Sequence, residues 1–377
     1  MNAIYGLAGS FVGIFVPIYL LRKNLDPANV FWFYLVFAVS IPVFFFLSSK
    51  IVRAIGLRKT VLLGYPFLFL YFFLLYNLDR FGTPLAVLAI VNGFQVSLYW
   101  FPLHVWLSKT SHAGAIGNVL GKFYAAAQFV SLLAPIAAAF IVLFFGFKML
   151  FVFTAVIYLA SAVPVLYLPE ISFKEKMMIR DLFKLLKKYP HYIVAEMLEN
   201  LREEAEGVIW PVFVYLAFRN ILSIGYIGAA SGVGLVLFDL LVGKYADKID
   251  KRKLLGAGAL VLAMIWILRL FFVTPLAAYA LTVAASFFGV LAVIPLTAMF
   301  YGNAKRESAP TFIIFRELGI MFGRVILYAI AFLVIGSMNY IFIFAALICL
   351  GLFFLSKKNI ESRDDAQRLS AGYRPVI

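Results

Sequence analysis

The sequence predicts an all-α integral membrane protein, with twelve transmembrane helices arranged as two pseudo-symmetric six-helix bundles. Three observations predict it. The chain is 64% hydrophobic and only 14% charged, against about 25% charged in soluble domains. Apolar runs near the ~20 residues needed to cross a bilayer recur along its whole length. A basic loop, Ser49 to Lys59, returns as Gly243 to Lys253, with Lys50/Lys244, Ile55/Ile249, Arg58/Arg252 and Lys59/Lys253 matching at an offset of 194. Backbone inside a bilayer has no water to bond, so spans are helices or closed barrels. Long unbroken apolar runs, rather than ten-residue alternation, select helices.

The spans fall near 1–21, 30–48, 60–78, 84–107, 116–145, 150–168, 191–218, 223–242, 254–274, 276–300, 311–336 and 339–356. Span 1 has no basic n-region or cleavage site, so it is not a signal peptide. Its Pro17 falls on Pro211 of span 7, as Gly64 of span 3 falls on Gly258 of span 9. The match starts span 1 almost at Met1, so a few N-terminal residues are expected to be missing from this version of the chain. In spans 5 and 11, Gly117-xxx-Gly121-Lys122 corresponds to Gly319-xxx-Gly323-Arg324, and Pro102 of span 4 answers Pro295 of span 10. Small residues four apart let membrane helices approach closely.

The expected organisation is an N-terminal bundle (1–168), a linker (169–190), a C-terminal bundle (191–356) and a tail (357–377). Most of the 33 Lys and Arg fall in even-numbered loops and the tail, which places these and both termini in the cytoplasm of a cell membrane. The net charge of +15 is therefore a topology signal with affinity for lipid headgroups, and no nucleic-acid partner is expected. In the linker, Ile179, Leu182, Phe183, Leu185 and Leu186 alternate with Arg180, Lys184, Lys187 and Lys188, the pattern of an amphipathic helix on the membrane face. A lone Cys349 and three His give no disulfide framework, zinc site or nucleophile cluster. No cofactor, metal or enzymatic activity is expected, and the chain is taken as a monomer.

Two six-span halves, a cytoplasmic linker and a basic loop after spans 2 and 8 together resemble the major facilitator superfamily. Its loop signature runs Gly-x-x-x-Asp-(Arg/Lys)-x-Gly-(Arg/Lys)-(Arg/Lys). The second copy supplies Gly243, Asp247, Lys248, Lys251 and Arg252, with Asp250 in place of the later Gly; the first keeps Gly56, Arg58 and Lys59 but has Ser49 for Gly and Arg53 for Asp. The resemblance implies a rocker-switch transporter whose spans 1, 4, 7 and 10 line a central cavity. Spans 2 and 11, and 5 and 8, would meet between the halves. Two ionic latches are then expected, Arg53 with Glu317 beside Arg316, and Asp247 or Asp239 with Lys122, with Arg324 deeper in span 11.

Span 7 carries Glu196, Glu199, Asn200, Arg202, Glu203, Glu204 and Glu206. At 100° per residue, Glu196, Glu199, Glu203, Glu206 and Trp210 form one stripe, flanked by Asn200 and Arg202. Ionisable residues inside a span face a cavity or a partner. Three roles fit: proton loading, with Glu203 and Glu206 deepest; direct binding of a cationic substrate; or a structural network in which Arg202 reaches Glu199 and Glu206. Further cavity candidates are Asn2 and Tyr5 of span 1 and Tyr99, Trp100 and His104 of span 4.

The expected function is secondary active transport of a small molecule, with protons as coupling ion. Exporters of the family often carry Gly-Pro-x-x-Gly-Gly in span 5. Ala134-Pro135-Ile136-Ala137-Ala138-Ala139 keeps the Pro and small residues and leans to efflux (antiport) of a hydrophobic or cationic compound. An uptake symporter and a non-transporting scaffold are the alternatives.

Overall fold

The computed structural model describes residues 2–23, 25–110, 132–173, 179–241, 250–334 and 337–358, without the side chains of 109, 110, 239, 240 and 305. Gly243, Asp247 and Lys122, the side chain of Asp239, Gly117, Gly121 and most of the tail thus lie outside the described residues, and with them the second expected latch.

All regular structure among the described residues is helical, and nine of these helices are long and apolar enough to cross a membrane. Three further spans complete the twelve. Ala134–Leu166 counts once but contains Gly146 at φ 81°, ψ 170°. That left-handed conformation is one only glycine adopts without strain, and it divides the helix into the end of span 5 (134–145) and span 6 (147–166). Spans 7 and 11 fall outside the apolar set because they carry six and three charged residues. The two helices too polar to look like spans pack against each other.

Span 1 comprises Asn2–Val12 and Phe15–Arg22. Span 7 comprises Pro190–Glu204, a π-helical turn Ala205–Ile209, and Trp210–Phe218. Gly13 and Gly207 mark these breaks at the offset that relates Pro17 to Pro211. The cause is local: a proline has no N–H for the carbonyl four residues back, and its ring crowds that carbonyl. Here the carbonyls are those of Gly13 and Gly207.

The duplication persists in packing. Span 3 (Leu57–Tyr76) and span 9 (Lys251–Phe271) each lie on the fourth helix of their own half. A Cβ on Gly64 would sit 3.3 Å from Leu98 Cβ, and one on Gly258 2.8 Å from Leu291 Cβ, so both glycines serve close approach of the same helix pair. The basic loops end alike. Arg58 N–H donates to Glu170 Oε1 (3.0 Å) and Arg252 N–H to Asp250 Oδ1 (2.8 Å). Where the second copy replaces the signature glycine by its own N-cap, the first keeps Gly56, at φ 92°, and takes its cap from the linker.

The halves meet at several levels. Span 2 (Pro27–Ile55) packs on span 11 (Ala309–Leu333), and the end of span 5 packs on span 8 (Ile221–Leu241). Pro135 lies against Gly228, and Ala139 against Gly225. Nearer the basic loops, His104 Nδ1 of span 4 (Leu85–Thr110) is 3.0 Å from the Tyr301 hydroxyl of span 10 (Pro275–Arg306). On the opposite side Tyr34 stacks on Tyr328, with ring centroids 5.2 Å apart, and the outer segments of spans 1 and 7 touch.

Candidate functional site: the charged core of span 7

Span 7 rests on span 11 through glycine. A Cβ on Gly323 would come within 2.9 Å of the Met197 carbonyl oxygen, and one on Gly319 would meet the Ile193 side chain. This contact brings Arg316 and Arg324 of span 11 level with the glutamates of span 7. Arg316 Nε lies 3.0 Å from Glu196 Oε2, while the Tyr192 hydroxyl donates to Glu196 Oε1 at 2.6 Å. Arg316 also covers the Phe300 ring, 4.4 Å from its centroid. Arg324 Nε lies 3.1 Å from Glu204 Oε2, and the Tyr328 hydroxyl donates to Glu204 Oε1.

On its other flank span 7 meets spans 9, 10 and 12 (Met338–Ser356). Arg202 closes onto Glu199 within its own helix and packs its guanidinium against Gly289 of span 10. The expected reach of Arg202 to Glu206 is not made. The wider π turn re-aims residues beyond Glu204, and Glu206 accepts two hydrogen bonds from Arg269 of span 9, at 2.8 and 2.9 Å. Arg269 is fully buried between Trp210 and Trp266, with centroids 4.0 and 4.4 Å away. Trp210 Nε1–H donates to Thr282 at 2.9 Å, and Asn200 donates to the Glu196 carbonyl at 3.2 Å.

This inventory separates the stripe. Glu196, Glu199, Glu204 and Glu206 each hold an arginine. Glu203 is exposed and, among the described residues, has neither ion pair nor hydrogen bond. Its direction follows from helix geometry. Val194, 39% exposed, lies between the flanks that contact spans 11 and 12. Glu203 is nine residues on, half a revolution away, and so faces the interior between the bundles. Gly207, one turn further, is also exposed, and a Cβ there would meet nothing within 4 Å. Glu203 lies roughly 20 Å along the helix from Pro190, near mid-membrane.

Other expected residues are placed differently. Arg53 and Glu317 form no ion pair, which corrects the first latch. In the antiparallel contact registered by Tyr34 and Tyr328, Arg53 falls level with Ala309, and Glu317 lies about two turns deeper, roughly 12 Å away. Glu317 is buried and, among the described residues, makes no ion pair. Asn2, Tyr5 and Tyr99 are buried: Tyr5 and Tyr99 stack at 3.5 Å and line a small cavity with Tyr65 and Gln95, and the Tyr99 hydroxyl is 3.4 Å from Asn2 Oδ1. Trp100 stacks on His104, which joins the halves through Tyr301. Lys59 and Lys251 are exposed, and Arg58 holds the Leu168 carbonyl and, at 3.5 Å, Glu170. The sequence reading missed Arg269, Tyr34, Tyr301 and Tyr328. For Arg269 the signal was present, a lone cation in an apolar span; the tyrosines resemble ordinary span aromatics.

The sequence model of the Major Facilitator Superfamily matches residues 1–182. No curated protein sequence matches the chain. Among solved structures, the transporter FucP in its outward conformation is similar at TM-score 0.68 and 10% identity, covering 94% of this chain and 96% of its own. The human organic anion transporter MFSD10 (TETRAN) is similar at TM-score 0.66 and 12% identity, with 94% and 96% covered. The family's sequence pattern thus covers residues 1–182, a little under half of this membrane-spanning chain, and the folds of these two transporters are similar to its own over nearly its whole length.

Proposed function

We propose that the chain is a secondary transporter working by alternating access, and that Glu203 is the group that loads and releases the coupling proton. One observation carries this reading: among the described residues, Glu203 is the span 7 glutamate that makes no ion pair, and by helix geometry it faces the space between the bundles. Glu206, the other expected carrier, is held by Arg269 and serves structure.

Antiport of a hydrophobic or cationic compound fits a site whose free charge is negative, and favours it over uptake. The basic loops and termini lie in the cytoplasm by their charge. The protein acts as a monomer among membrane lipids. The test is proton flux in vesicles carrying a trapped pH dye, with lipophilic cations added as candidate substrates. Glu203→Gln should abolish compound-driven flux, and flux that persists in this variant removes Glu203 from the reading.

A further inference from the structure

The linker helix Ile179–Lys188 has three faces, and the fold uses one of them. Leu182, Leu185 and Tyr189 are buried against the C-terminal bundle, where the helix packs on span 11. Its end is fastened there. Glu307 Oε1, just before span 11, accepts from the Tyr189 hydroxyl and from Lys188 Nζ, both at 2.9 Å. At 100° per residue, Ile179, Phe183 and Leu186 lie about a quarter turn from this buried face, and they are 68%, 62% and 48% exposed. A further quarter turn on lie Arg180 and Lys187.

We infer that this helix is a binding site for anionic lipid headgroups, with Arg180 and Lys187 on the phosphates and Ile179, Phe183 and Leu186 among the upper acyl chains. Its place in the fold puts a leaflet there. Lys188 is two residues from Pro190, where span 7 begins, so the helix lies at the ends of the spans, on the side of the basic loops. The bundle on one side, acyl chains under the apolar stripe and headgroups on the far side is the order an interfacial helix needs. Burying the stripe is favourable whichever lipid is present. Charge decides which lipid.

Four cations line this helix, and the structure divides them. Lys184 is closed onto Asp181 at 2.8 Å, and Lys188 onto Glu307. Arg180 and Lys187 are exposed and, among the described residues, make neither ion pair nor hydrogen bond. Seven residues apart, they share a face at roughly 10 Å along the axis, so each meets its own headgroup. A cation beside an anionic leaflet favours the docked helix roughly fivefold.

The experiment uses the full chain in a Cys349→Ser background, with Phe183→Cys carrying an environment-sensitive dye. It is reconstituted in vesicles of phosphatidylcholine alone or mixed with phosphatidylglycerol, each containing a lipid spin-labelled near the top of its acyl chain. The readout needs neither substrate nor proton gradient, so it is independent of Glu203. Quenching should be stronger in the anionic vesicles, and the difference should shrink in high salt. Arg180→Gln and Lys187→Gln should each lower the ratio of quenched to unquenched dye in anionic vesicles roughly fivefold. Asp181→Asn with Lys184→Gln removes a neutral pair and should leave that ratio unchanged. Equal quenching in the two kinds of vesicle, or no loss in either single variant, overturns the headgroup site. A ratio that falls as far in the double variant as in the single ones overturns the assignment to Arg180 and Lys187. Dye that lipid does not quench, or that self-quenches between copies as the protein-to-lipid ratio rises, overturns the bilayer as the occupant.

Discussion

Removing the Arg269 guanidinium should unfold the C-terminal bundle far more readily than removing the charge of Glu203. Arg269 is fully buried, bidentate to Glu206 and enclosed by two tryptophans. Breaking a buried pair from one side leaves an uncompensated charge and costs about 3–5 kcal/mol. The lost cation–π contacts act in the same direction, about 0.5–2 kcal/mol each, though the terms do not simply add. Arg269→Met alone should therefore lower stability by about 3–5 kcal/mol, most of a typical folding free energy of about 5–15 kcal/mol. Arg269→Met with Glu206→Met should recover much of that loss, because an apolar pair of similar volume leaves no stranded charge. Glu203→Gln, exposed and unpaired, should change stability within about 0.5 kcal/mol. The assay is reversible SDS unfolding in mixed micelles, followed by tryptophan fluorescence. A loss below about 1 kcal/mol for Arg269→Met, or a double variant no better than the single, would refute the assignment of Glu206 to structure.

Gly56→Ala should destabilise by about 1–3 kcal/mol, since its φ is +92° and a Cβ would lie 2.1 Å from Glu170 Oε1; Gly146→Ala, strained but with open space around it, should cost less in the same unfolding assay. Trp210→Phe removes the hydrogen bond to Thr282 and should cost about 1 kcal/mol by that measure, with proton flux retained. Cysteines at His104 and Tyr301, whose side chains meet at their tips (3.0 Å), should be bridged by a cleavable bis-thiol reagent in a Cys349→Ser background, lowering transport until the bridge is cleaved. Gly228→Leu should also lower transport, because even a Cβ there would lie 2.4 Å from Pro135 Cβ; unchanged transport would remove the span 5–span 8 contact from the moving interface.

The fold was legible in the sequence because its causes are local or periodic. Apolar runs measure the bilayer, and a duplicated gene leaves equal offsets, so Pro17/Pro211 and Gly64/Gly258 located a helix break and a close helix contact in each half. The glutamate stripe was legible too, since a charge in a span needs a partner wherever the helix packs. Which partner was not. Arg269 lies 63 residues from Glu206 and Arg324 lies 120 from Glu204, and nothing in the linear order says which cation reaches which carboxylate. The latch between Arg53 and Glu317 shows the same limit. Opposite charges at matching helix ends suggested a pair, but the register of spans 2 and 11, read from the Tyr34–Tyr328 stack, sets them about two turns apart.

Composition and internal repetition are enough to place this chain in a membrane as two related helical bundles with charge inside span 7. Hydrophobic length and repetition are properties of the linear chain. Packing alone pairs four of the five glutamates with arginines and, among the described residues, leaves Glu203 without an ion pair. Ion pairing depends on helix rotation, on the π turn before Pro211 and on register between distant spans. Those are fixed when the helices pack.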